Sequence, residues 1–340
     1  MPVQQQAAVV GAGSWGTALA KMLSDKGCRI TLWGQRQEHV DEIVGNRENL
    51  TYLPGFKLSD NLTATADLKE AVTGQPVVVM VVPSHGFREV FRRILPCLSD
   101  NTYVASAVKG IENDTQMTMD QVMEDELAAM DSPPVLHLGV LAGPSFAKEV
   151  AAGVPTAVTV AAKSKEEALF FQEFFNAPLF RVYASTDLIG VELSGALKNI
   201  IAIAAGICDG LGYGTNTRAA LITRGLAEIS RLGIKMGANP STFAGLGGLG
   251  DLVLTCTGDL SRNRTVGIKL GQGKKLSTIL DEMNMVAEGV KTTKSAWHLA
   301  RKMDVEMPIL EQVYQVLYND KPCEAAVRDL LARSLKEEQY

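Results

Sequence analysis

Seven short apolar runs punctuate the first half of the chain: AAVVG (7–11), CRITLWG (28–34), PVVVMVVP (76–83), TYVASAVKG (102–110), VLHLGVLAG (135–143), PTAVTVAA (155–162) and LFRVYAS (179–185). Helix-compatible stretches separate them. Near-continuous Val, Ile and Leu runs are what strands of a parallel sheet need when helices cover both faces, because each side chain is then buried whichever way it points. From about residue 188 the β-branched runs fade. Long small-and-apolar segments follow, with prolines at the starts of MPILEQVYQVLY (307–318) and KPCEAAVRDLLARS (321–334), and a glycine-rich break at 245–250. This pattern predicts an α/β chain: a doubly wound sheet over residues 1–187, then an all-helical unit over 188–340.

The 340 residues, 46% hydrophobic and 21% charged, suffice for two well-filled cores. A net charge of -5, with lysines and arginines scattered, gives no basic field for a nucleic-acid backbone. The first residues, MPVQQQAAVV, lack the basic and apolar segments of a secretion signal. No uninterrupted apolar stretch approaches the roughly 20 residues that span a bilayer, so the expectation is a cytoplasmic protein without membrane insertion. Five scattered cysteines without a CxxC spacing read as reduced thiols, and four scattered histidines give no metal-binding cluster.

Gly11-x-Gly13-x-x-Gly16 follows the first apolar run and opens a helical stretch. In that context the three glycines permit a tight turn, close approach of backbone N–H groups to a pyrophosphate, and close helix–strand packing. The Rossmann fingerprint is therefore expected here, with a dinucleotide as its ligand. Gly245, Gly247 and Gly250 repeat the spacing without a preceding strand, and read as a hinge or helix connection. The second apolar run leads into Gly34-Gln35-Arg36, where an NAD enzyme usually presents an acidic residue to the ribose 2′-hydroxyl. Arg36 reads either as a solvated loop charge or as a partner for a 2′-phosphate. NADPH is accordingly preferred over NADH.

Ligands of an open α/β sheet lie beyond the carboxyl ends of its strands. Three such ends carry special residues: Pro83-Ser84-His85, Lys109, and Gly143-Pro144-Ser145. Lys109 reads as a turn lysine or as an electrophile near the nicotinamide; Ser145 reads first as a helix N-cap; His85 reads as a general acid or a packed loop residue. Further on, Asp251, Ser261, Arg262, Asn263 and Arg264 gather hydroxyl, amide and guanidinium groups suited to phosphate. The competing reading is a capped helix start with surface arginines. Lys198 sits in VELSGALKNIIAIAAGICDG (191–210) with no other charge between Glu192 and Asp209. A lysine so placed needs a carboxylate or a path to water.

The ordered blocks Gly-Ala-Gly-Ser-Trp-Gly (11–16), Pro-Ser-His (83–85), Val-Lys-Gly (108–110), AGPSFAKE (142–149), SGALKNIIAIAAGICDGL (194–211), GLGDLVLTCT (248–257), SRNR (261–264) and VAEGV (286–290) span nearly the whole chain. Together they resemble the bacterial NAD(P)-dependent glycerol-3-phosphate dehydrogenases. The resemblance implies reversible reduction of dihydroxyacetone phosphate to sn-glycerol 3-phosphate, the entry to phospholipid synthesis, in a cytoplasmic enzyme that is often a homodimer. It makes Lys198 the proton-transfer residue and puts Lys109 against cofactor and substrate. It assigns Gly143, Ser145, Asp251, Ser261, Arg262 and Asn263 to substrate, and Ser14, Trp15, Arg36, Ala147, Arg262, Val286 and Glu288 to cofactor. On this reading the missing partner of Lys198 is the substrate, which approaches along a helical strip of Ser194, Gly195, Ala202 and Ala205. Two rivals stand beside it: a related dehydrogenase of a hydroxyacid or of ketopantoate, and a redox-sensing module that binds dinucleotide without chemistry.

Overall fold

The computed structural model describes residues 5–283, 287–335 and 337–338. Each of the seven apolar runs contributes a strand to one eight-stranded sheet. Across it the strands lie in the order Phe180–Ser185, Thr156–Ala162, Leu136–Ala142, Thr102–Ser106, Val77–Met80, Gln6–Val10, Arg29–Trp33, Leu62–Thr65. The eighth strand, Leu62–Thr65, falls outside the expected runs. It is an edge strand with only Leu62 buried, so its sequence carries no apolar signature.

One expectation is corrected: the sheet is mixed rather than wholly parallel. Leu136–Ala142 and Thr156–Ala162 pair antiparallel, with Val140 opposite Ala161, while the other neighbours in the sheet pair parallel. The connection between the two strands holds only the short helix Ala147–Ala151. Five helical residues rise roughly 7.5 Å, against roughly 23 Å for a seven-residue strand, so the chain turns back at the end it has just reached. Gly143 and Ser145 are thereby kept at the carboxyl end of the neighbouring strands.

Alternate residues of each central strand enter different cores. Val9 and Val79 pack with Leu19 and Leu23 of helix Ser14–Asp25 and with Phe171 and Phe174 of helix Lys165–Phe175. Val10 and Val78 pack with Phe87, Phe91 and Met119 on the opposite face. The strand order reverses between Gln6–Val10 and Val77–Met80, whose carboxyl ends open a crevice.

The helical half is organised around Leu188–Gly210, a helix of 23 residues buried on nearly every side. By length and mean hydropathy it could cross a membrane although Glu192, Lys198 and Asn199 interrupt its apolar run, but 94% of its apolar window is buried against protein. A helix that is apolar all round is equally the signature of a core helix. Its glycines admit a neighbour at close range: a Cβ on Gly206 would stand 2.1 Å from the Arg264 carbonyl oxygen, and one on Gly267 2.1 Å from that of Ile203. This crossing locks helix Arg262–Gly271 against the helix that carries Lys198.

Candidate active site

At the switch point of the sheet, a cleft of about 570 Å³ runs between the glycine loop and the helical half. Gly11, with φ +126, passes so close to the next strand that a Cβ would lie 2.6 Å from the Val81 carbonyl oxygen, and a Cβ on Gly16 would lie 1.9 Å from the Gly11 oxygen. Gly13 has nothing within 4 Å of such a Cβ and faces open space. It stands at the N-cap of Ser14–Asp25, where it supplies no side-chain cap, and it lines the cleft. Tight turn, open cradle and close packing fall on the first, second and third glycines, as pyrophosphate binding requires. Trp15 and Ala147 line the same wall.

Arg36 lies just past the second strand, exposed on the cleft, with Nη2 donating to the Tyr52 hydroxyl at 3.3 Å. Among the described residues no acidic side chain lines that end of the cleft. The residues present suit NADP at least as well as NAD.

At the other end Lys109 and Lys198 converge on one carboxylate. Asp251, fully buried, takes the Lys198 ammonium on Oδ1 and the Lys109 ammonium on Oδ2 at 2.8 Å. Lys198 also donates to the Thr255 hydroxyl at 2.7 Å, and Lys109 to the Gly143 carbonyl at 2.8 Å and the Ser145 hydroxyl at 3.3 Å. Two ammonium groups around one carboxylate leave a net positive charge facing the cleft. Burial brings Lys198 down from the ordinary lysine range to about 7; Asp251 pulls it back up, and Lys109 adds to the depression.

This pairing corrects the expectation that Lys198 has no partner but the substrate. Asp251 is distant in sequence, brought in by the single π turn Leu246–Gly250 that leads into helix Asp251–Thr257. The second glycine pattern is therefore a helix connection that delivers the carboxylate. Glu192, the nearest carboxylate along the helix, turns away and accepts the Asp120 N–H at 3.0 Å. The small-residue strip is likewise filled by protein: a Cβ on Gly195 would meet Ala142 at 3.4 Å and the Lys109 stem at 3.6 Å.

Ser145 is not an N-cap. Its hydroxyl donates to Gly143 at 2.9 Å, and the following helix, Ala147–Ala151, starts without a side-chain cap. Ser261 is one: its Oγ accepts from the Arg264 N–H at 3.2 Å while lining the cleft. Arg264 turns away to Asp209 and Asp259. Arg262 projects into the cleft, where surrounding protein lowers its pKa and Glu288 opposes that shift. Among the described residues its guanidinium has no hydrogen-bond partner. Asn263 donates to the Asn199 side chain at 2.9 Å and accepts from the Gly289 N–H at 2.9 Å; Asn199 in turn donates to the Lys109 carbonyl at 3.2 Å.

Glu288 accepts from the Ser84 N–H at 3.2 Å and the Ser84 hydroxyl at 2.6 Å, joining the helical half to the sheet. His85 is exposed and does not line the cleft, and Gly143 and Asp251 stand behind the lining as partners of the lysines. Val286 lies outside the described residues. Sequence reasoning singled out the strand end that holds Ser84 without giving that residue a role, and missed Thr255 as a participant. Thr255 had a readable signal, since it lies four residues after Asp251 and hence on the same helix face.

The sequence profile described as NAD-dependent glycerol-3-phosphate dehydrogenase N-terminus matches residues 6–168, and the corresponding C-terminus profile matches residues 187–328. A glycerol-3-phosphate dehydrogenase [NAD(P)+] of Desulfotalea psychrophila is 58% identical over 331 residues, 97% of this chain and 98% of that protein. The chain belongs to the NAD-dependent glycerol-3-phosphate dehydrogenase family. Another member, from Geobacter sulfurreducens, is 56% identical over 99% of this chain and 100% of its own length. The crystal structure of the glycerol-3-phosphate dehydrogenase from Coxiella burnetii superposes with a TM-score of 0.93 at 42% identity, covering 98% of this chain and 100% of that one. A ketopantoate reductase from Ralstonia eutropha JMP134 reaches a TM-score of 0.58 at 15% identity, a likeness of fold alone. Family membership thus does not favour the hydroxyacid and ketopantoate alternative.

Proposed function

We propose that this protein is an NAD(P)-dependent glycerol-3-phosphate dehydrogenase in which Lys198 transfers the proton, assisted by Lys109 and Asp251, and Arg262 reads the substrate phosphate. The observation that carries this reading is the pair of lysines sharing one buried carboxylate at the floor of a cleft that is also lined by Arg262, whose guanidinium makes no hydrogen bond among the described residues. When bound, the nicotinamide supplies the hydride that adds to C2 of dihydroxyacetone phosphate. As that carbon becomes tetrahedral, charge collects on its oxygen; the Lys198 ammonium stabilises the charge and gives up a proton, yielding sn-glycerol 3-phosphate. In the reverse direction neutral Lys198 takes the hydroxyl proton.

Asp251 and Thr255 orient the Lys198 ammonium, and Asp251 keeps its burial tolerable. Lys109, fixed by Gly143 and Ser145, lowers the proton affinity of its neighbour and adds positive charge beside the reacting oxygen. Ser261 and Asn263 complete the substrate wall, while Ser14, Trp15, Ala147, Val286 and Glu288 serve the cofactor. Arg36 favours NADPH over NADH.

Within this reading residues 1–187 form the dinucleotide-binding unit and 188–340 the substrate unit. The protein works as a cytoplasmic homodimer without membrane insertion and feeds phospholipid synthesis. Absorbance of NADPH at 340 nm tests the core of it: oxidation should depend on dihydroxyacetone phosphate. Binding of NADPH without ketone-dependent oxidation would instead mark a redox-sensing module.

A further inference from the structure

We propose that Asn49 is the positioning residue that ties together the two ends of the dinucleotide wall. This rests on the reading that the cleft binds NAD(P). Asn49 is fully buried between helix Gln37–Asn46 and the strand Leu53–Lys57, outside the glycine fingerprint. Its amide nitrogen donates to the Ala12 carbonyl at 2.9 Å and to the Thr17 hydroxyl at 2.8 Å. Its oxygen faces the Tyr52 N–H and the His39 Nε2, each at 3.0 Å.

The amide orientation is fixed by its partners. A carbonyl can only accept and a backbone N–H can only donate, so nitrogen must face Ala12 and oxygen must face Tyr52. It follows that His39 carries a hydrogen on Nε2 and donates it. All four hydrogen-bonding positions of one side chain are therefore used.

The partners divide into two groups. Ala12 lies within the glycine loop, and Thr17 is in the first turn of the helix behind it. Tyr52 and His39 line the cleft beside Arg36: the Tyr52 hydroxyl accepts from Arg36, its ring meets His39 edge-on at 5.0 Å, and its carbonyl accepts from Ser14 at 2.6 Å. One buried amide thus holds the backbone that would cradle the pyrophosphate and the side chains nearest the 2′ position. A glycine loop has little rigidity of its own, so its bound shape must come from such a tether.

The test uses binary complexes, followed by quenching of tryptophan fluorescence and by energy transfer to the reduced nicotinamide, beside thermal unfolding of the free protein. Asn49→Ala should weaken NADPH and NADH by about tenfold or more, with NADPH suffering more, as expected for unmaking buried polar contacts on both sides. KM for dihydroxyacetone phosphate at saturating cofactor should stay within about twofold, and kcat within about threefold. Asn49→Asp keeps the acceptor for Tyr52 and His39 but turns a carboxylate toward the Ala12 carbonyl. It should weaken both cofactors while leaving their ratio near that of wild type.

A residue that merely fills space would lower the melting temperature and leave both affinities of the folded protein within about twofold of wild type; that outcome overturns the proposal. If Asn49→Ala does not fold, Thr17→Val decides, with Thr17→Ser as control: about threefold weaker binding for valine alone supports the tether, and unchanged binding overturns it. Wild-type protein that binds neither cofactor would overturn the functional reading itself, and the inference with it.

Discussion

The floor and the rim of the cleft hold positive charge in opposite ways. At the floor Lys198 is 5% exposed and already paired through Asp251 and Thr255. At the rim Arg36 and Arg262 are exposed, and Arg262 makes no hydrogen bond within the described protein. A group that takes part in bond making gains from being oriented and desolvated in advance, because its surroundings then need no rearrangement as charge develops. A group that recognises an anion gains from keeping its donors free until the anion arrives, since a bound carboxylate would have to be displaced first. Chemistry at the floor and recognition at the rim should therefore respond to substitution in different kinetic parameters.

The largest effect belongs to the floor. Lys198→Met should lower kcat by roughly 10²–10⁴ in both directions, while binary affinity for NADPH stays near that of wild type. Thermal stability should hold or rise, because methionine removes a desolvated charge and Asp251 keeps Lys109 as its partner. Steady-state rates and the fluorescence titration check both halves. A mutant with a tenth or more of wild-type activity would remove the floor from the chemistry.

The contrast also explains what was legible in the sequence. The strands of the large sheet announced themselves because a sheet covered on both faces needs uninterrupted apolar runs; the edge strand Leu62–Thr65, half open to water, escaped, as did the small hairpin of Glu48–Asn49 and Leu53–Lys57. The glycine fingerprint and Lys198 stood out because each is costly in its setting without a ligand or partner. What remained hidden was pairing across distance. Asp251 lies 53 residues beyond Lys198 and Asn49 lies 37 beyond Ala12, and no local periodicity records which distant groups meet. The antiparallel reversal after Ala142 was hidden for a related reason, since strand direction depends on how far a connection reaches rather than on the strands' own residues.

At the rim, Arg262→Ala should raise KM for dihydroxyacetone phosphate by about 10–100-fold, the worth of a charge-assisted hydrogen bond of roughly 1.5–3 kcal/mol, with a smaller change in kcat. Arg262→Lys should recover only part, because a point charge cannot present two parallel donors. The comparison with unphosphorylated dihydroxyacetone sharpens this: wild type should discriminate strongly and the alanine variant weakly. Undiminished discrimination would mean that the phosphate is read by other groups.

Arg36→Asp should cost less, about tenfold in NADPH over NADH selectivity, because the side chain is exposed and its interactions are screened by water and salt. Selectivity should fall mainly through KM for NADPH, and the wild-type preference should shrink as ionic strength rises. Equal kcat/KM ratios for wild type and variant would remove Arg36 from the cofactor wall.

The finest distinction is in pH. With Lys198 depressed to about 7, reduction, which needs the ammonium, should be flat below that pH in kcat/KM and fall about tenfold per unit above it. Oxidation, which needs the neutral amine, should rise toward pH 7 and level off beyond it. A bound phosphate dianion favours the ammonium, so the kcat profile for reduction should break at a higher pH than the kcat/KM profile. Lys109→Met removes a like charge and should move the break upward as well, whereas Arg36→Asp should not move it. Stability carries the same signature: between about 7 and the ordinary lysine value the unfolded chain holds a proton that the folded protein has released, so this group's contribution grows as pH rises across that window and is lost as pH falls back through it. Subtracting the stability curve of Lys198→Met from that of wild type isolates the contribution from the buried cysteines, whose thiols titrate higher still. A rate profile that breaks near 10, together with a flat difference curve, would mean that the floor is not desolvated and that floor and rim hold their charge in the same way.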